Sequence, residues 1–150
     1  MDDAFFQVSA ATRVACLRMT DAHLKAVADS ADRASSLPAR SQWRRKAFAY
    51  AEIFALLAES ANDPAAGRVL DDTAKSMRSV MLAAGRGADG MIASSRRRLL
   101  ACLRARDAEG AALEMEEHLR GLYFMWRLVG PAAGTAAMSA GLRRYCSDGG

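Results

Sequence analysis

Residues 92–118, IASSRRRLLACLRARDAEGAALEMEEH, contain the pattern that decides the fold. Apolar side chains recur at spacings of three and four on both sides of Asp107, as they do along one face of an α-helix. Aspartate is among the residues that cap helix N-termini, so Asp107 marks the start of the second of two helices. The stretch therefore predicts a helix, a short turn and a second helix.

The helical pattern extends over the whole chain. Alanine, leucine, methionine and arginine dominate, whereas the β-branched residues that favour strands are sparse and nowhere alternate with polar residues. Turn signals at Leu37-Pro38, Asn62-Asp63-Pro64, 85–90 and Gly130-Pro131 separate the segments. The predicted helices run from about Asp3 to Arg18, Asp21 to Ser35, Ser41 to Ala61, Pro64 to Ala84, Ile92 to Arg106 and Ala108 to Val129.

Short connections between helices of this length favour antiparallel neighbours, so the predicted fold class is all-α, an antiparallel helical bundle of six to seven helices. Residues 1–130 form the bundle in this prediction. A short seventh helix over about Ala132 to Arg144 and a frayed tail make up residues 131–150. The predicted N-caps are Thr20, Ser41, Asp63 and Asp107.

Length and composition favour one compact domain. The chain has 150 residues, of which 51% are hydrophobic, enough for a single core. No apolar run approaches the ~20 residues of a membrane span, and the acidic start Met1-Asp2-Asp3 differs from the basic start of a secretory signal. We therefore expect a cytoplasmic protein without a membrane partner.

The cysteines and the net charge indicate little about the function of the protein. Cys16, Cys102 and Cys146 are widely spaced and contain no CxxC pair, so we expect reduced thiols, the first two as core filler. The net charge of +4 comes from arginine, but no element has the basic stripe of a duplex-binding surface. We do not expect this domain to bind nucleic acid directly.

Helical spacing places several unusual residues on inward faces. On the third helix the inward row is Trp43, Ala47, Tyr50, Phe54 and Leu57. On the fifth it is Ile92, Arg96, Leu99 and Leu103. On the sixth it is Ala111, Met115, His118, Leu122, Met125 and Val129.

Arg96 and His118 each permit two interpretations. A buried arginine needs a partner, which is either a ligand or a carboxylate such as Glu52 or Glu59, unless the side chain lies at the edge of its row and reaches water. His118 either faces a ligand or is a hydrogen-bonded core histidine. Tyr50 and Phe54 by themselves are ordinary core aromatics.

The sequence has none of the common catalytic motifs. It lacks a phosphate-binding glycine loop, GxSxG and HExxH, and its two histidines, His23 and His118, exclude a histidine-rich metal site. Tyr50 and His118 could form an acid/base pair, but no nucleophile or substrate is indicated. We therefore expect no enzyme activity. A small helical enzyme is the competing hypothesis.

Three segments resemble the FadR C-terminal domain (FCD) family of effector-binding domains from GntR-type transcription regulators. Residues 97–111, with Met115 and His118-Leu119, are similar to the family's closing signature. Residues 53–64, IFALLAESANDP, resemble its Phe-His-x-x-Leu-Ala-x-Ala-x-x-Asn-Pro segment, and residues 11–20 resemble its first helix and threonine cap. The resemblance covers about Phe5 to Val129 and implies a helical bundle that senses a small molecule.

The resemblance also implies a changed binding site. Many family members hold a divalent metal with an Asp, a His one turn later and two further His. In this sequence those positions are Tyr50, Phe54, Arg96 and His118, so only the last ligand is present. One imidazole cannot assemble a metal site, and we predict neither metal nor other cofactor. We predict instead that these four residues bind an organic acid or acyl compound, with its head on Arg96 and His118.

The resemblance implies a homodimer, in which DNA is contacted only through a winged helix-turn-helix that would precede this domain. Nothing precedes Phe5 that could form one, so we expect either part of a longer regulator or a stand-alone sensor. The alternative function is a structural or dimerisation bundle whose cavity has collapsed.

Overall fold

The computed structural model describes residues 2–129, which form six helices and no strand. The predicted all-α bundle is therefore confirmed for this part of the chain, whereas the predicted seventh helix and the tail lie outside it. The helices are α1 (Asp2–Arg18), α2 (Asp21–Ser36), α3 (Ala39–Ala61), α4 (Pro64–Ala84), α5 (Asp89–Arg104) and α6 (Ala108–Val129). None of them is both long and apolar enough to cross a bilayer.

Most of the predicted boundaries are correct because short-range capping sets them. Thr20 Oγ1 accepts the His23 backbone N–H, and the Thr20 N–H donates to His23 Nδ1, both at 3.1 Å. Asn62 adopts the left-handed conformation with φ 45°, and Asp63 then accepts the Ala66 N–H at 2.9 Å. Asp107 accepts the Gly110 N–H at 2.9 Å. The predicted caps Thr20 and Asp107 are therefore confirmed.

Two predicted helix starts were wrong. Helix α3 begins at Ala39 and not at Ser41, and the residue before it, Pro38, offers no side-chain cap. Its first turn is separated from the rest by Gln42, whose φ of −133° and ψ of 36° are not helical. Helix α5 begins at Asp89 and not at Ile92, because residues 86–88 form a short 3₁₀ turn and the Asp89 side chain is held by α3.

The bundle buries one continuous core. Helix α3 packs between α2 and α4, while α1 contacts α3, α4 and α6, and α5 lies on α6. Helices α1 and α6 are antiparallel, since Phe5 contacts Tyr123 at one end and Arg13 bonds Glu109 at the other. The largest side chains of the core include Tyr50, Phe54, Leu57, Leu70, Met81, Ile92, Leu99, Leu103, Met115 and Leu122.

Both cysteines of the described region are free thiols, as expected. Cys16 is buried in the core and Cys102 is half-buried against it. Burial raises the pKa of the Cys16 thiol above its usual value, and the positive charge of Arg106 only partly opposes this. The thiol is therefore protonated and acts as a small apolar side chain.

A buried ion pair joins α3 to the N-terminus of α5. Lys46 Nζ lies 3.0 Å from Asp89 Oδ1, and the same carboxylate oxygen accepts the Tyr50 hydroxyl at 2.6 Å. The Lys46 side chain is only 7% exposed, against 28% for Asp89. A charge that is buried to this degree depends on its partner, because unpaired burial costs several kcal/mol.

We expect Asp89→Ala to lower the free energy of unfolding by about 2 kcal/mol, because it leaves Lys46 buried without a counter-ion and Tyr50 without an acceptor. The figure lies below the roughly 3–5 kcal/mol for a fully buried pair because Asp89 is partly exposed. The control is Asp29→Ala, which breaks the exposed Lys25–Asp29 pair and should cost less than ~0.5 kcal/mol. Urea denaturation measures both, and equal losses would contradict the role of the buried pair.

Candidate functional site

The structure brings the four predicted site residues together. Tyr50 and Phe54 lie one turn apart on α3, Arg96 lies on α5 and His118 on α6, and none is more than 4% exposed. The Arg96 Cζ is 5.3 Å from the Phe54 ring centroid, and the His118 ring stacks on Phe54 at a centroid distance of 6.3 Å. Phe54 is thus the common neighbour of the cation and the imidazole.

Arg96 is buried without a carboxylate. Its Nη2 donates to the Tyr50 backbone carbonyl at 2.9 Å, but its Nε and Nη1 have no acceptor in the described part of the chain. The proposed protein partners are engaged elsewhere or exposed, since Glu52 accepts hydrogen bonds from Ser30 and Arg33 and Glu59 faces solvent. At 4% exposure the guanidinium also does not reach water. Among residues 2–129, therefore, neither a carboxylate partner nor an exposed position is found for Arg96.

Burial weakens but does not remove the charge on Arg96. Loss of hydration lowers the pKa of the guanidinium from its usual value to about 10, and the neighbouring Tyr50 opposes this shift but does not cancel it. Arg96 is therefore still protonated at neutral pH. The result is one fixed positive charge in an apolar surrounding, where electrostatic attraction to an anion is much stronger than in water.

His118 is a neutral imidazole without hydrogen bonds. Neither Nδ1 nor Nε2 has a partner within residues 2–129, so the interpretation as a hydrogen-bonded core histidine does not hold there. Burial lowers the pKa of His118 well below 6.5, and the positive charges of Arg96 and Arg98 lower it further. A neutral imidazole has one donor and one acceptor nitrogen, and both are available here.

Tyr50 has a different role from the other three residues. Its hydroxyl is committed to Asp89, and burial together with that hydrogen bond raises the pKa of the phenol above 10. What Tyr50 offers to the site is the backbone carbonyl that orients Arg96. It is therefore unsuited to act as an acid or base with His118.

Ser95, which precedes Arg96 on α5, is a buried polar residue that the sequence analysis did not single out. It is 2% exposed, and its hydroxyl has no hydrogen-bond partner in the described region. The sequence does indicate that Ser95 lies on the inward face of α5, because it is three residues after Ile92 and four before Leu99, which both belong to the inward row. Together, Ser95, Arg96 and His118 are three buried polar side chains whose hydrogen-bonding capacity is unused, which in a folded interior costs roughly 1–3 kcal/mol per group.

The metal set implied by the family does not fit these residues. Tyr50 uses its hydroxyl for Asp89, Phe54 has no donor atom, and Arg96 puts a positive charge where a metal cation would lie. Among the described residues, no three His, Cys, Asp or Glu side chains come together as a metal site would require. The unpaired nitrogens of Arg96 and the uncharged imidazole of His118 are groups that can bind an anion by charge and hydrogen bonds.

The pH dependence of stability tests the environment of His118. The pKa of His118 is lower in the folded protein than in the unfolded chain, where it is about 6.5. Its contribution to the unfolding free energy is therefore complete above pH 6.5 and is lost as the pH falls below that value, because the unfolded chain then binds a proton that the folded protein does not. We expect the unfolding free energy to fall by about 1.4 kcal/mol more in the wild type than in His118→Leu between pH 7.5 and 5.5. Urea denaturation at both pH values measures this, and identical pH dependence in the two proteins would contradict a buried, neutral His118.

Comparison with known proteins supports the family assignment directly. The family model named FCD domain matches residues 9–121, which is most of the chain and includes all four predicted site residues. No curated protein and no solved structure matches the chain significantly. FCD domains are effector-binding regulatory domains of transcription regulators and not enzymes. On the evidence of its six-helix fold and of this match, the chain belongs to the FCD domain family.

Proposed function

We propose that this chain is the ligand-sensing and dimerisation domain of a bacterial GntR/FadR-type transcription regulator, that it acts in the cytoplasm, and that it binds a small organic acid or acyl compound without metal. The observation that carries the proposal is Arg96, a buried cation with two nitrogens that have no acceptor among the described residues. DNA would be bound through a separate winged helix-turn-helix.

The chemistry of the site favours an organic anion with an apolar part. A carboxylate can accept several hydrogen bonds from one guanidinium, and this pairing offsets the cost of burying the charge. His118 adds a neutral donor and acceptor beside the same Phe54 ring. The rest of the surroundings is apolar, with Phe54, Met115 and Leu122 fully buried. A ligand with a carboxylate head and a hydrocarbon or acyl body matches this composition.

Exposed apolar side chains support a homodimer. Phe6 and Leu17 lie three turns apart on one side of α1, and each is at least 67% exposed. Between them on the same side, Arg13 bonds Glu109 of α6, one turn before the exposed Leu113. The two helices therefore present one continuous surface, which has apolar residues also toward the end of α6: Phe124 and Leu128. Surfaces of this kind commonly mark an interface between copies.

A thermal-shift screen with Arg96 variants tests the binding site. We expect at least one carboxylic acid or acyl compound to bind, and at 100 times its dissociation constant to stabilise the domain by about 2.7 kcal/mol. Arg96→Met should abolish this stabilisation. The variant alone should unfold at the same or a higher temperature, because it removes a buried charge without a counter-ion. The matched control is Arg97→Met, since Arg97 is the exposed neighbour of Arg96.

Several outcomes would count against the proposed site. Stabilisation by zinc or nickel would show that the domain binds a metal through residues other than these four. A loss of several kcal/mol of stability in Arg96→Met, with no response to any acid in the wild type, would favour a structural bundle. Chemical turnover of a bound compound would favour an enzyme.

Sedimentation equilibrium tests the dimer. We expect the wild type to sediment as a dimer and Leu113→Glu to shift it to monomer, because the change buries a carboxylate in an apolar interface. Phe48→Glu is the control, since Phe48 is an exposed apolar residue on α3 and not on the α1/α6 surface. A wild type that is monomeric at high micromolar concentration would overturn the proposed assembly.

A further inference from the structure

Three buried polar side chains of α5 and α6 have unused hydrogen-bonding groups, and these divide into a charged part and an uncharged part. The charged part is the Arg96 guanidinium, with Nε and Nη1 unpaired. The uncharged part consists of the Ser95 hydroxyl and both nitrogens of His118, which are also unpaired in the region that the structure describes. All three side chains are at least 96% buried. A ligand that satisfies the whole set must therefore carry both an anionic group and an uncharged polar group.

The positive charges near the site limit how many anionic groups a ligand can carry. Lys46, the other buried cation of this region, is already paired with Asp89. Arg98, next along α5, is paired with Glu114 of α6 and has a side chain that is 57% exposed. This leaves Arg96 as the unpaired buried cation among residues 2–129. One carboxylate neutralises it, and a second would be buried without a counter-ion at a cost of several kcal/mol.

His118 could balance a second carboxylate only by taking up a proton. Its surroundings oppose this, because the imidazole is buried against the Phe54 ring of α3 and faces the positive charges of Arg96 and Arg98 on α5. On its own helix, the nearby carboxylate of Glu114 is bonded to Arg98. In the folded domain His118 thus serves as an uncharged donor and acceptor.

We propose that the site selects monocarboxylates that carry one uncharged hydrogen-bonding group, and that Ser95 is the residue that recognises this group together with His118. The proposal rests on the proposed function, in which Arg96 binds the carboxylate. A hydroxyl, keto or amide group meets the requirement, since each can pair with a serine hydroxyl or a neutral imidazole. Dicarboxylates of the same length are excluded by charge and not by size.

A matched series of ligands tests the charge selection. For each chain length from four to eight carbons, the affinities of the dicarboxylate, its monoamide and the unsubstituted monocarboxylate are measured by titration calorimetry at pH 7.5. The monoamide has nearly the shape of the dicarboxylate but one charge fewer. At the chain length that binds best, we expect the monoamide to bind at least roughly tenfold more tightly than the dicarboxylate. A dicarboxylate that binds as tightly as its monoamide overturns the proposal.

Substitution of Ser95 tests its recognition role. We expect Ser95→Ala to weaken binding of the monoamide about fivefold, the effect of one lost hydrogen bond, and to leave the unsubstituted monocarboxylate unchanged. The control is Ser94→Ala, because Ser94 bonds the exposed Arg97 and should change neither affinity. Equal losses for the two ligands in Ser95→Ala would show that Ser95 supports the fold and does not read the uncharged group.

The outcomes also separate this inference from the proposed function. If the dicarboxylate binds as tightly as its monoamide and Arg96→Met abolishes binding of all three ligand types, the proposed function holds and the charge selection is wrong. If no acid of the series binds the wild type, the charge selection fails, and the proposed function fails with it only if no other acid or acyl compound stabilises the domain in the thermal-shift screen.

Discussion

Arg96 sets the constraint on which the site depends, because a guanidinium remains charged even when it is removed from water. The fold gives it one hydrogen bond, from Nη2 to the Tyr50 carbonyl, and an aromatic face from Phe54. These contacts orient the group but do not neutralise it, since a carbonyl dipole and a ring quadrupole are weak partners compared with a carboxylate. The domain therefore contains a buried positive charge without a counter-ion among the described residues, which an anionic ligand can neutralise. This is why binding, and not structural stability, is the simpler explanation of Arg96.

The residues around Arg96 are held from several directions. Tyr50 bonds Arg96 through its backbone and Asp89 through its hydroxyl, so one residue of α3 is tied to α5 at two points. Lys46 completes this connection by pairing with Asp89 at the first residue of α5. A site on packed helices is more precisely positioned than one on loops, because the rotamers of its side chains are fixed by neighbours. Ligand binding at Arg96 would thus act on the contact between α3 and α5.

The residues at the four positions where the family resemblance implies metal ligands form a consistent set. A metal site supplies positive charge through an ion that acidic and imidazole ligands hold. Here the positive charge belongs to the Arg96 side chain. A carboxylate side chain of the protein next to it would neutralise this charge and remove its attraction for an anionic ligand. Tyr50 and Phe54 at the first two positions supply no carboxylate or imidazole to the site. His118, which remains, offers neutral hydrogen bonding in place of metal coordination. Under the proposed function, these residues would recognise an anion directly and not through a metal.

The sequence by itself determined the helices, most of their ends and the inward position of Tyr50, Phe54, Arg96 and His118. These features follow from local rules: the 3.6-residue period, and caps such as Thr20 and Asp107 that bond residues three positions away. The start of α5 was not predictable in this way, because Asp89 is held by Lys46 and Tyr50, about forty residues earlier in the chain. The partners of Arg96 were also undetermined, since spacing shows that a side chain faces inward but not which carboxylates it meets there. Only the tertiary structure, which brings α3, α5 and α6 together, shows that Glu52 and Glu59 are not its partners and that the buried Ser95 hydroxyl has no hydrogen-bond partner among the described residues.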